Sequence, residues 1–260
     1  MIANYHTHSR WCRHAVGEFT DYFQRAVELG FKEIAMTDHV SHKHSWCWLP
    51  WEDIEPFDRD LNRAIELYGD KIKIYKGFEC EYLPEEMENY KYLKEELGYE
   101  FLIMGQHCDK TGQINSFNLT KPDELKAYGD SVCEGLLTGY FKLLAHPDVI
   151  FSKYPVMWDK TCEEVFGDVF ELCEKLQIPV EINVNGFRDN RGYPNPELFK
   201  FSRKYDLIYM INTDAHDPAK LYDDKVAECE QWCRDLGLPI TQLYPFDKAL
   251  NGGKYKGTYQ

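Results

Sequence analysis

E-I-A-M-T-D-H, residues 33–39, is a short apolar run that ends in residue types able to bind a metal ion. The same arrangement recurs near the other end of the chain, where T-D-A-H at residues 213–216 follows another apolar run. Short β-type runs alternate with longer amphipathic segments along the sequence, and this alternation predicts parallel strands joined by helices. The predicted strands are Ile2–Tyr5, Glu33–Thr37, Lys73–Phe78, Phe101–Gly105, Lys142–Ala145, Val180–Val184 and Leu207–Thr213.

The segments between the strands carry apolar residues at helical spacing, most clearly at residues 19–27, 54–68 and 165–176. No linker rich in proline, glycine or serine and no long repeat divides the sequence, so residues 1–260 are predicted to form one domain. The number of β/α units fits a barrel better than an open sheet. We therefore expect an α/β fold, a distorted TIM-like (β/α)7 barrel with its functional site at the C-terminal ends of the strands.

The composition excludes several classes of partner. The 260 residues include 30 basic and 44 acidic side chains, for a formal net charge of −14, and such a surface repels nucleic acid. Residues 1–9 lack the basic flank and apolar run of a signal peptide. We therefore expect that the protein is not secreted and has no membrane partner. The 9 cysteines include no C-x-x-C pair, which argues against a disulfide framework and favours a reducing cytoplasm.

Side chains that can bind metal ions follow most of the predicted strands. In a parallel β/α barrel the carboxyl ends of all strands meet on one face, so residues far apart in sequence converge there. Imidazoles and ionised carboxylates gathered in one pocket need compensation, and divalent metal ions supply it. The residues concerned are His6, His8, Asp38, His39, Glu79, His107, His146, Asp214 and His216.

Each of these residues, taken alone, has an ordinary structural explanation. The H-x-H motif at His6 and His8 is weak evidence in isolation, although side chains two apart on an extended segment share one side and can bind one ion. His146 could be a satisfied core histidine, and Glu79 could be a solvated strand end. The coincidence of ligand types at so many strand ends favours a metal site over these explanations.

The motifs resemble those of the polymerase and histidinol phosphatase (PHP) family of metal-dependent phosphoesterases, and the resemblance covers nearly the whole chain. H-T-H at residues 6–8, followed by C-R-H-A-x-G, is similar to the first family motif, and T-D-H at residues 37–39 is similar to the second. A-H-P-D at residues 145–148 and T-D-A-H resemble the remaining two. E-I-N-x-x-G-F-R at residues 181–188 and the C-x-H-A-x-G context resemble the histidinol-phosphatase branch.

The resemblance implies three divalent metal ions, each held by its own set of side chains. The first set would be His6, His8, Glu79 and Asp214, the second Glu79, His107 and His146, and the third His14, His39 and His216. Glu79 would bridge the first two ions. Imidazole-rich sets of donors favour zinc, iron or manganese over magnesium or calcium.

Two arginines are candidates for a phosphate clamp, because a planar guanidinium can pair with two phosphate oxygens. Arg188 is the first choice and Arg191 competes with it, while either could instead be an ordinary surface residue. Asn183 could hydrogen-bond the substrate or orient a ligand. Asp38 is expected to act at the catalytic site by orienting metal ligands.

A histidine- and aromatic-rich stretch follows the second predicted strand, where barrel enzymes place residues that contact the substrate. His42, Lys43 and His44 could contact phosphate or the leaving alkoxide, and the sequence does not choose among them. Aromatic residues of this stretch could equally pack the next helix against the barrel.

Hydrolysis of L-histidinol phosphate to L-histidinol and phosphate, a step of histidine biosynthesis, is the activity that the resemblance implies, with a metal-bound hydroxide attacking phosphorus. Two alternatives stay open. A phosphoesterase of the same family could act on a nucleotide, an oligonucleotide or phosphotyrosine. A non-catalytic module could use the same ligands to sense an anion. The sequence decides neither the identity of the metal nor the oligomeric state.

Overall fold

Seven parallel strands form the centre of the molecule and follow one another in sequence order. The computed structural model describes residues 1–40, 49–152 and 158–246. Neighbouring strands pair in parallel register, for example Ile34 with Ile74 and Ile103 with Leu143. The strands are β1 (Ala3–Asn4), β2 (Glu33–Met36), β3 (Lys73–Cys80), β4 (Phe101–Met104), β5 (Phe141–Leu144), β6 (Val180–Asn183) and β7 (Tyr209–Asn212).

The first and last strands lie side by side and nearly close the sheet into a barrel. A parallel bridge joins Thr7 to Ala215, and the amide of His8 donates to the carbonyl of Ala215 at 2.9 Å. Before this bridge, the side chain of Asn4 accepts from the amide of Thr213 at 3.2 Å and donates to its hydroxyl. We call this junction, formed by residues 4–8 and 213–215, the seam. The predicted (β/α)7 barrel is confirmed.

Helices follow the strands and cover the outside of the barrel. In the longest of them, α5, Asp159 caps the first turn by accepting from the amide of Cys162 at 2.9 Å. This helix stops at Gln177, which has a left-handed φ of 54°, and its apolar stripe joins the outer core. The helices are α1 (Phe19–Glu28), α2 (Ile54–Tyr68), α3 (Met87–Glu95), α4 (Pro122–Leu137), α5 (Lys160–Leu176), α6 (Val184–Arg188), α7 (Pro196–Ser202) and α8 (Asp224–Asp235).

The inside of the barrel is apolar at one end and polar at the other. The apolar end, which we call the floor, contains Tyr5, Tyr75, Phe101 and Tyr244, whose neighbouring ring centroids lie 4.9 to 6.1 Å apart. Side chains alternate along a strand, so the strands that supply the floor also supply inward residues farther along. Those residues form the polar mouth at the C-terminal ends of the strands.

The predicted strand positions agree closely with the observed ones, and the main difference is in β3. This strand continues to Cys80 instead of ending at Phe78, so Glu79 lies within the strand. A parallel bridge also pairs Glu79 with His39 just after β2. Regular strand geometry therefore fixes the direction of the Glu79 side chain. Among the described residues, no helix is both long enough and apolar enough to cross a lipid bilayer.

Candidate metal centre

The carboxylate of Glu79 is at the centre of the mouth. Its side chain is 1% exposed, and five imidazoles surround it with ring nitrogens 2.8 to 3.5 Å from its oxygens. These imidazoles belong to His6, His8, His39, His107 and His146. They come from the ends of four different strands, so the barrel itself brings them together.

A glycine on the neighbouring strand makes room for this carboxylate. Gly105 directly follows β4, and a Cβ atom at this position would overlap the carboxylate of Glu79. Gly105 also donates its amide hydrogen to the carbonyl of Cys80 at 3.1 Å, which keeps the two strands together beyond the regular ladder. The position of Glu79 thus depends on a residue without a side chain.

Asp214 supplies the second acidic group of the mouth. Its Oδ1 lies 3.0 Å from Nε2 of His8 and 3.5 Å from Nε2 of His6. Its Oδ2 accepts from Nδ2 of Asn185 at 3.1 Å and from Nδ2 of Asn183 at 3.3 Å. The backbone of Asp214 has a φ of 47°, an uncommon value for a residue other than glycine. The turn after β7 therefore directs this carboxylate toward the two histidines that follow β1.

His14 and His216 face each other at the outer side of the mouth. Nδ1 of His14 lies 2.7 Å from the carbonyl of Cys12, and Nδ1 of His216 lies 2.9 Å from the carbonyl of Asp214. A carbonyl only accepts, so each Nδ1 is the donor, and in the neutral rings each Nε2 carries a lone pair. The two Nε2 atoms are 3.0 Å apart. The two Nε2 atoms are therefore directed at each other, so that either a proton or a metal ion can be shared between them.

Polar atoms of the mouth also lack the hydrogen bonds that burial demands. Within the described residues, Nδ1 of the buried His146 has no hydrogen-bond partner, and Nε2 of the fully buried His8 lies 3.0 Å from Oδ1 of Asp214 without the angles of a regular hydrogen bond. Buried polar atoms of a metal-free site are normally paired, so these atoms fit a coordinated ion better than an empty polar pocket. The donor set, rich in imidazole with two carboxylates, suits a divalent transition metal.

The predicted ligand sets can be compared with the distances. His6, His8, Glu79 and Asp214 each place one donor atom within 4.8 Å of the others. His107 and His146 both approach Oε1 of Glu79, at 3.5 and 2.8 Å. In the third set, His14 contacts His216, while His39 and His216 form a group with His8 in which the donor atoms also lie within 4.8 Å.

The charges of the mouth adjust to one another. Burial alone would raise the pKa of Glu79, but the nearby imidazoles, beginning with His39 and His6, hold that pKa well below its usual range. Burial lowers the pKa of His107 to about 3 and that of His216 to about 4. These groups are held in the forms that bind metal ions, whereas burial at His6 and His8 is outweighed by nearby carboxylates, which hold the pKa values of these two histidines well above the usual range.

Two further buried carboxylates support the histidines, and sequence reasoning missed both. Oε1 of Glu81 lies 2.9 Å from Nδ1 of His107, and Oε1 of Glu181 lies 2.8 Å from Nδ1 of His6. A signal for each was present in the sequence. Glu81 is two residues from Glu79 in E-C-E, and Glu181 is two residues from Asn183 in E-I-N, so each shares a strand face with a candidate site residue.

A model of the PHP domain matches residues 4–185, which is most of the chain. The chain belongs to the PHP domain family. The prediction from the sequence motifs that the chain is a PHP-family protein is confirmed.

Known relatives of this PHP domain carry a consistent name. A protein of Schizosaccharomyces pombe named "Probable histidinol-phosphatase" is 27% identical over 86% of this chain and 87% of its own length. A protein of the same name from Deinococcus radiodurans is 19% identical over 91% of this chain and 94% of its own. The structure of Lactococcus lactis histidinol phosphate phosphatase, complexed with zinc, L-histidinol and phosphate, superposes with a TM-score of 0.70 at 16% identity, covering 92% of this chain and 94% of that one. The structural likeness shows a shared fold.

The mouth of this PHP domain opens into a cavity of about 320 Å³. Phe117 stacks on His107 at one side, with centroids 5.3 Å apart and ring planes 9° from parallel. Among the described lining residues, Arg191 is the only arginine or lysine. The lining consists of His14, His39, Glu79, His107, Phe117, His146, Asn185, Arg191, Tyr193, Asp214 and His216.

Arg188, the first choice for a phosphate clamp, is placed elsewhere and does not line this cavity. Its Nε and Nη2 donate to the carboxylate of Asp223 at 3.0 and 3.2 Å, and Nη2 also donates to the carbonyl of Lys220 at 3.3 Å. Of the two predicted candidates for a phosphate clamp, Arg191 lines the described cavity and Arg188 does not. Arg188 is the last residue of α6, and its guanidinium is directed toward Asp223 at the start of α8.

The remaining candidates support the mouth from behind or lie outside the described residues. Asp38 is fully buried and accepts from the amide and hydroxyl of Ser9 at 2.8 and 3.0 Å, which joins the segment after β2 to the segment after β1. Asn183 is also fully buried and contacts Asp214 rather than the cavity. His42, Lys43 and His44 lie outside the described residues.

Proposed function

We propose that this PHP domain is a histidinol-phosphatase, which hydrolyses L-histidinol phosphate to L-histidinol and phosphate in histidine biosynthesis. The observation that carries the proposal is the mouth itself: seven imidazoles and two carboxylates converge beside a cavity that an arginine also lines. Such a site combines places for cations with a group that can bind a phosphate. The substrate is suggested by the names of the relatives and by the L-histidinol and phosphate held in the Lactococcus lactis structure.

Three divalent ions, of zinc, iron or manganese, are proposed to occupy the mouth. The first would be held by His6, His8, Glu79 and Asp214, the second by Glu79, His107 and His146, and the third by His14, His39 and His216. When bound, such ions lower the pKa of coordinated water and neutralise the charge on phosphate oxygens.

The chain's own residues would bind and orient the substrate. Arg191 is proposed to pair with phosphate oxygens, because it lines the cavity, and its guanidinium, whose Nε donates to Asp189 at 3.1 Å, also lies beside the hydroxyl of Tyr193. Asn185 holds Asp214 in place through its side-chain amide and also lines the cavity. The ring of Phe117 offers an apolar face to the organic part of the substrate. Asp38 and Asn183 would act by orienting neighbouring groups, not by touching substrate.

The proposal is tested by phosphate release from the metal-loaded protein. Samples reconstituted separately with zinc, manganese and ferrous iron are given L-histidinol phosphate, a phosphotyrosine mimic and a nucleoside monophosphate. We expect the highest kcat/KM for L-histidinol phosphate, and loss of turnover after chelation. Preference for the nucleotide or the phosphotyrosine mimic would replace the proposed substrate. Tight phosphate binding without turnover of any monoester would support the anion-sensing alternative.

The domain organisation, the class of substrate and the cellular compartment are also proposed. We propose that residues 1–260 act as one domain, since one sheet collects strands from Ala3 to Asn212. The net charge of −14 disfavours nucleic acid as a substrate, and a small phosphorylated metabolite suits the cavity better. Buried free thiols such as Cys12 and Cys229 are consistent with a reducing cytoplasm as the compartment.

A further inference from the structure

Glu181 is a buried acidic residue behind the mouth, and its role is not explained by contact with the cavity. It lies on β6, its side chain is fully buried, and it is absent from the described cavity lining. Its Oε1 is 2.8 Å from Nδ1 of His6. Its Oε2 accepts from the backbone amide of His146 at 2.9 Å and from Nδ2 of Asn183 at 3.0 Å. The carboxylate therefore joins two of the candidate ligands.

The contact with His6 selects one state of that imidazole. A carboxylate only accepts hydrogen bonds, so the proton of the ring lies on Nδ1. Nε2 also faces carboxylates, Oε2 of Glu79 at 2.8 Å and Oδ1 of Asp214 at 3.5 Å, so it is the nitrogen that would exchange its proton for an ion bound among these groups. Glu181 thereby turns the binding atom of His6 toward the acidic centre of the mouth.

The contact with His146 acts on the backbone. His146 has a φ of 24°, which is uncommon for a residue with a side chain and persists only when neighbouring groups hold it. The hydrogen bond from its amide to Glu181 is one such restraint. In this conformation Nε2 of His146 lies 2.8 Å from Oε1 of Glu79, on the other side of that carboxylate from His6.

We propose that Glu181 is a positioning residue that fixes His6 of the first ligand set and His146 of the second set at the same time. The inference rests on the metal centre of the proposed function. It concerns only the holding of the ions, whatever ester the protein cleaves. The physical basis of the inference is that one oxygen of Glu181 accepts a hydrogen bond from the ring of His6 and the other accepts one from the amide of His146. These hydrogen bonds hold both residues in place.

The chain offers a matched control in Glu33 at the opposite end of the barrel. Oε2 of Glu33 accepts from the hydroxyls of Tyr5 and Tyr75 at 2.6 and 3.1 Å, so this partly buried carboxylate also serves two donors. In the hydrogen bonds and ion pairs of the described residues, Glu33 does not contact the mouth. Glu33→Gln therefore reproduces the loss of a hydrogen-bonded charge inside the barrel without touching a candidate ligand.

The first experiment measures zinc retention by the whole protein. Glu181→Gln replaces one accepting oxygen by an NH₂ group, so either His6 or His146 loses its acceptor. We expect zinc affinity, measured by competition with a chelator, to fall about 10- to 100-fold in Glu181→Gln and to stay unchanged in Glu33→Gln. Equal zinc affinity in Glu181→Gln and the parent protein, with circular dichroism confirming that both are folded, would overturn the inference.

A second measurement needs no variant of Glu181 and stands even if that variant does not fold. Long-range ¹H–¹⁵N spectra of the zinc-loaded parent protein report which nitrogen of each imidazole carries the proton. We expect His6, assigned by the loss of its signal in His6→Asn, to be protonated on Nδ1. A bare or metal-bound Nδ1 would overturn the inference, because Glu181 would then accept no hydrogen bond from His6. A parent protein that holds zinc but cleaves no ester would defeat the proposed function alone.

Discussion

The histidines of the mouth differ in what their Nδ1 atoms contact. His6 and His107 face the carboxylates of Glu181 and Glu81, while His14 and His216 face backbone carbonyls. In each of these residues the partner is an acceptor, which leaves Nε2 as the atom available to a metal. Nε2 of His6 and of His107 is directed toward Glu79.

Gly105→Ala is predicted to remove metal from the site while the barrel stays folded. The added methyl group would occupy the space of the Glu79 carboxylate, which all five central imidazoles contact. We expect zinc affinity to fall about tenfold or more, the size of effect that misplaced supporting groups have on metal sites. Zinc content after dialysis, measured by elemental analysis, provides the check.

Gly167→Ala is the control for this substitution. Gly167 lies in α5. The one close neighbour of an added Cβ among the described residues would be the hydroxyl of Tyr205, at 3.3 Å. This variant should keep its full zinc content and be at least as stable as the parent protein, since alanine favours a helix over glycine. If Gly105→Ala binds zinc as tightly as Gly167→Ala, the close approach of Gly105 to Glu79 has no bearing on the site.

Arg191→Ala is predicted to weaken binding of the phosphate group. Loss of charge-assisted hydrogen bonds worth about 1.5–3 kcal/mol corresponds to a KM for L-histidinol phosphate raised roughly 10- to 100-fold. Zinc content should not change, because Arg191 contacts none of the candidate ligands in the hydrogen bonds described. Steady-state kinetics and inhibition by inorganic phosphate measure the effect. A larger rise of KM in Arg188→Ala than in Arg191→Ala would return the clamp role to Arg188.

At the scale of elements, strand positions were predictable because each strand is a short apolar run bounded by polar residues. The end of β3 was missed, since Glu79 and Glu81 look like residues of a loop although they lie inside the barrel. The helix α6 was also missed. Its five residues are too few for a periodic pattern, and the capping of Gly186 by Asn183 is visible only in three dimensions.

Asp223→Asn is predicted to destabilise the contact between α6 and α8. The variant keeps the ability to cap α8 but loses the charge that pairs with Arg188. We expect the free energy of unfolding at pH 7 to fall by about 1 kcal/mol. This loss is smaller than for a fully buried ion pair, because Asp223 is partly exposed and water screens its charge. Urea unfolding of the two proteins measures the difference.

The same comparison has a defined pH dependence. Burial alone would raise the pKa of Asp223, but the hydrogen bond from Arg188 brings it below its ordinary value. A group whose pKa is lower in the folded state than in the unfolded state stabilises the protein at pH values above its unfolded-state pKa. This stabilisation is lost as the pH falls through the folded-state pKa. The difference between parent and Asp223→Asn should therefore shrink below about pH 4. A constant difference down to pH 2 would contradict this account of the pair.

For the whole molecule, the sequence predicted which residues gather but not how they are supported. Ligand types after apolar runs could be recognised because parallel strands have a common direction, as with His39 after β2 and Asp214 after β7. Glu181 precedes the end of its strand, so it carried no such signal. The placement of Arg188 depends on the formation of α6, and that of Arg191 on the turn after α6, and short-range pattern determines neither.

Tyr244→Ala is predicted to destabilise the barrel and leave the mouth unchanged. Tyr244 is 5% exposed, its ring contacts Phe101 at the floor, and its hydroxyl donates to the carbonyl of Lys142 at 2.9 Å. Removal of a buried aromatic ring lowers the free energy of unfolding by about 3–5 kcal/mol. Urea unfolding checks the loss and elemental analysis the zinc content.

Tyr92→Ala serves as the control for this substitution, because Tyr92 is 44% exposed on α3. Its unfolding free energy should change by less than about 0.5 kcal/mol. Equal stability of the two variants would mean that the segment around Tyr244 does not close the floor. Loss of zinc in Tyr244→Ala would mean that floor and mouth are not independent.

The seam has a consequence for how the polypeptide comes apart. His8 and Asp214 lie on its opposite sides, one near the start of the chain and the other after the last strand. A cation bound by both would cross-link the two ends of the sequence and close a loop that contains nearly the whole chain. Cross-links around long loops restrict the unfolded chain most. Parting of β1 from β7 would then require release of that cation, so the bound cation is expected to slow unfolding of the barrel.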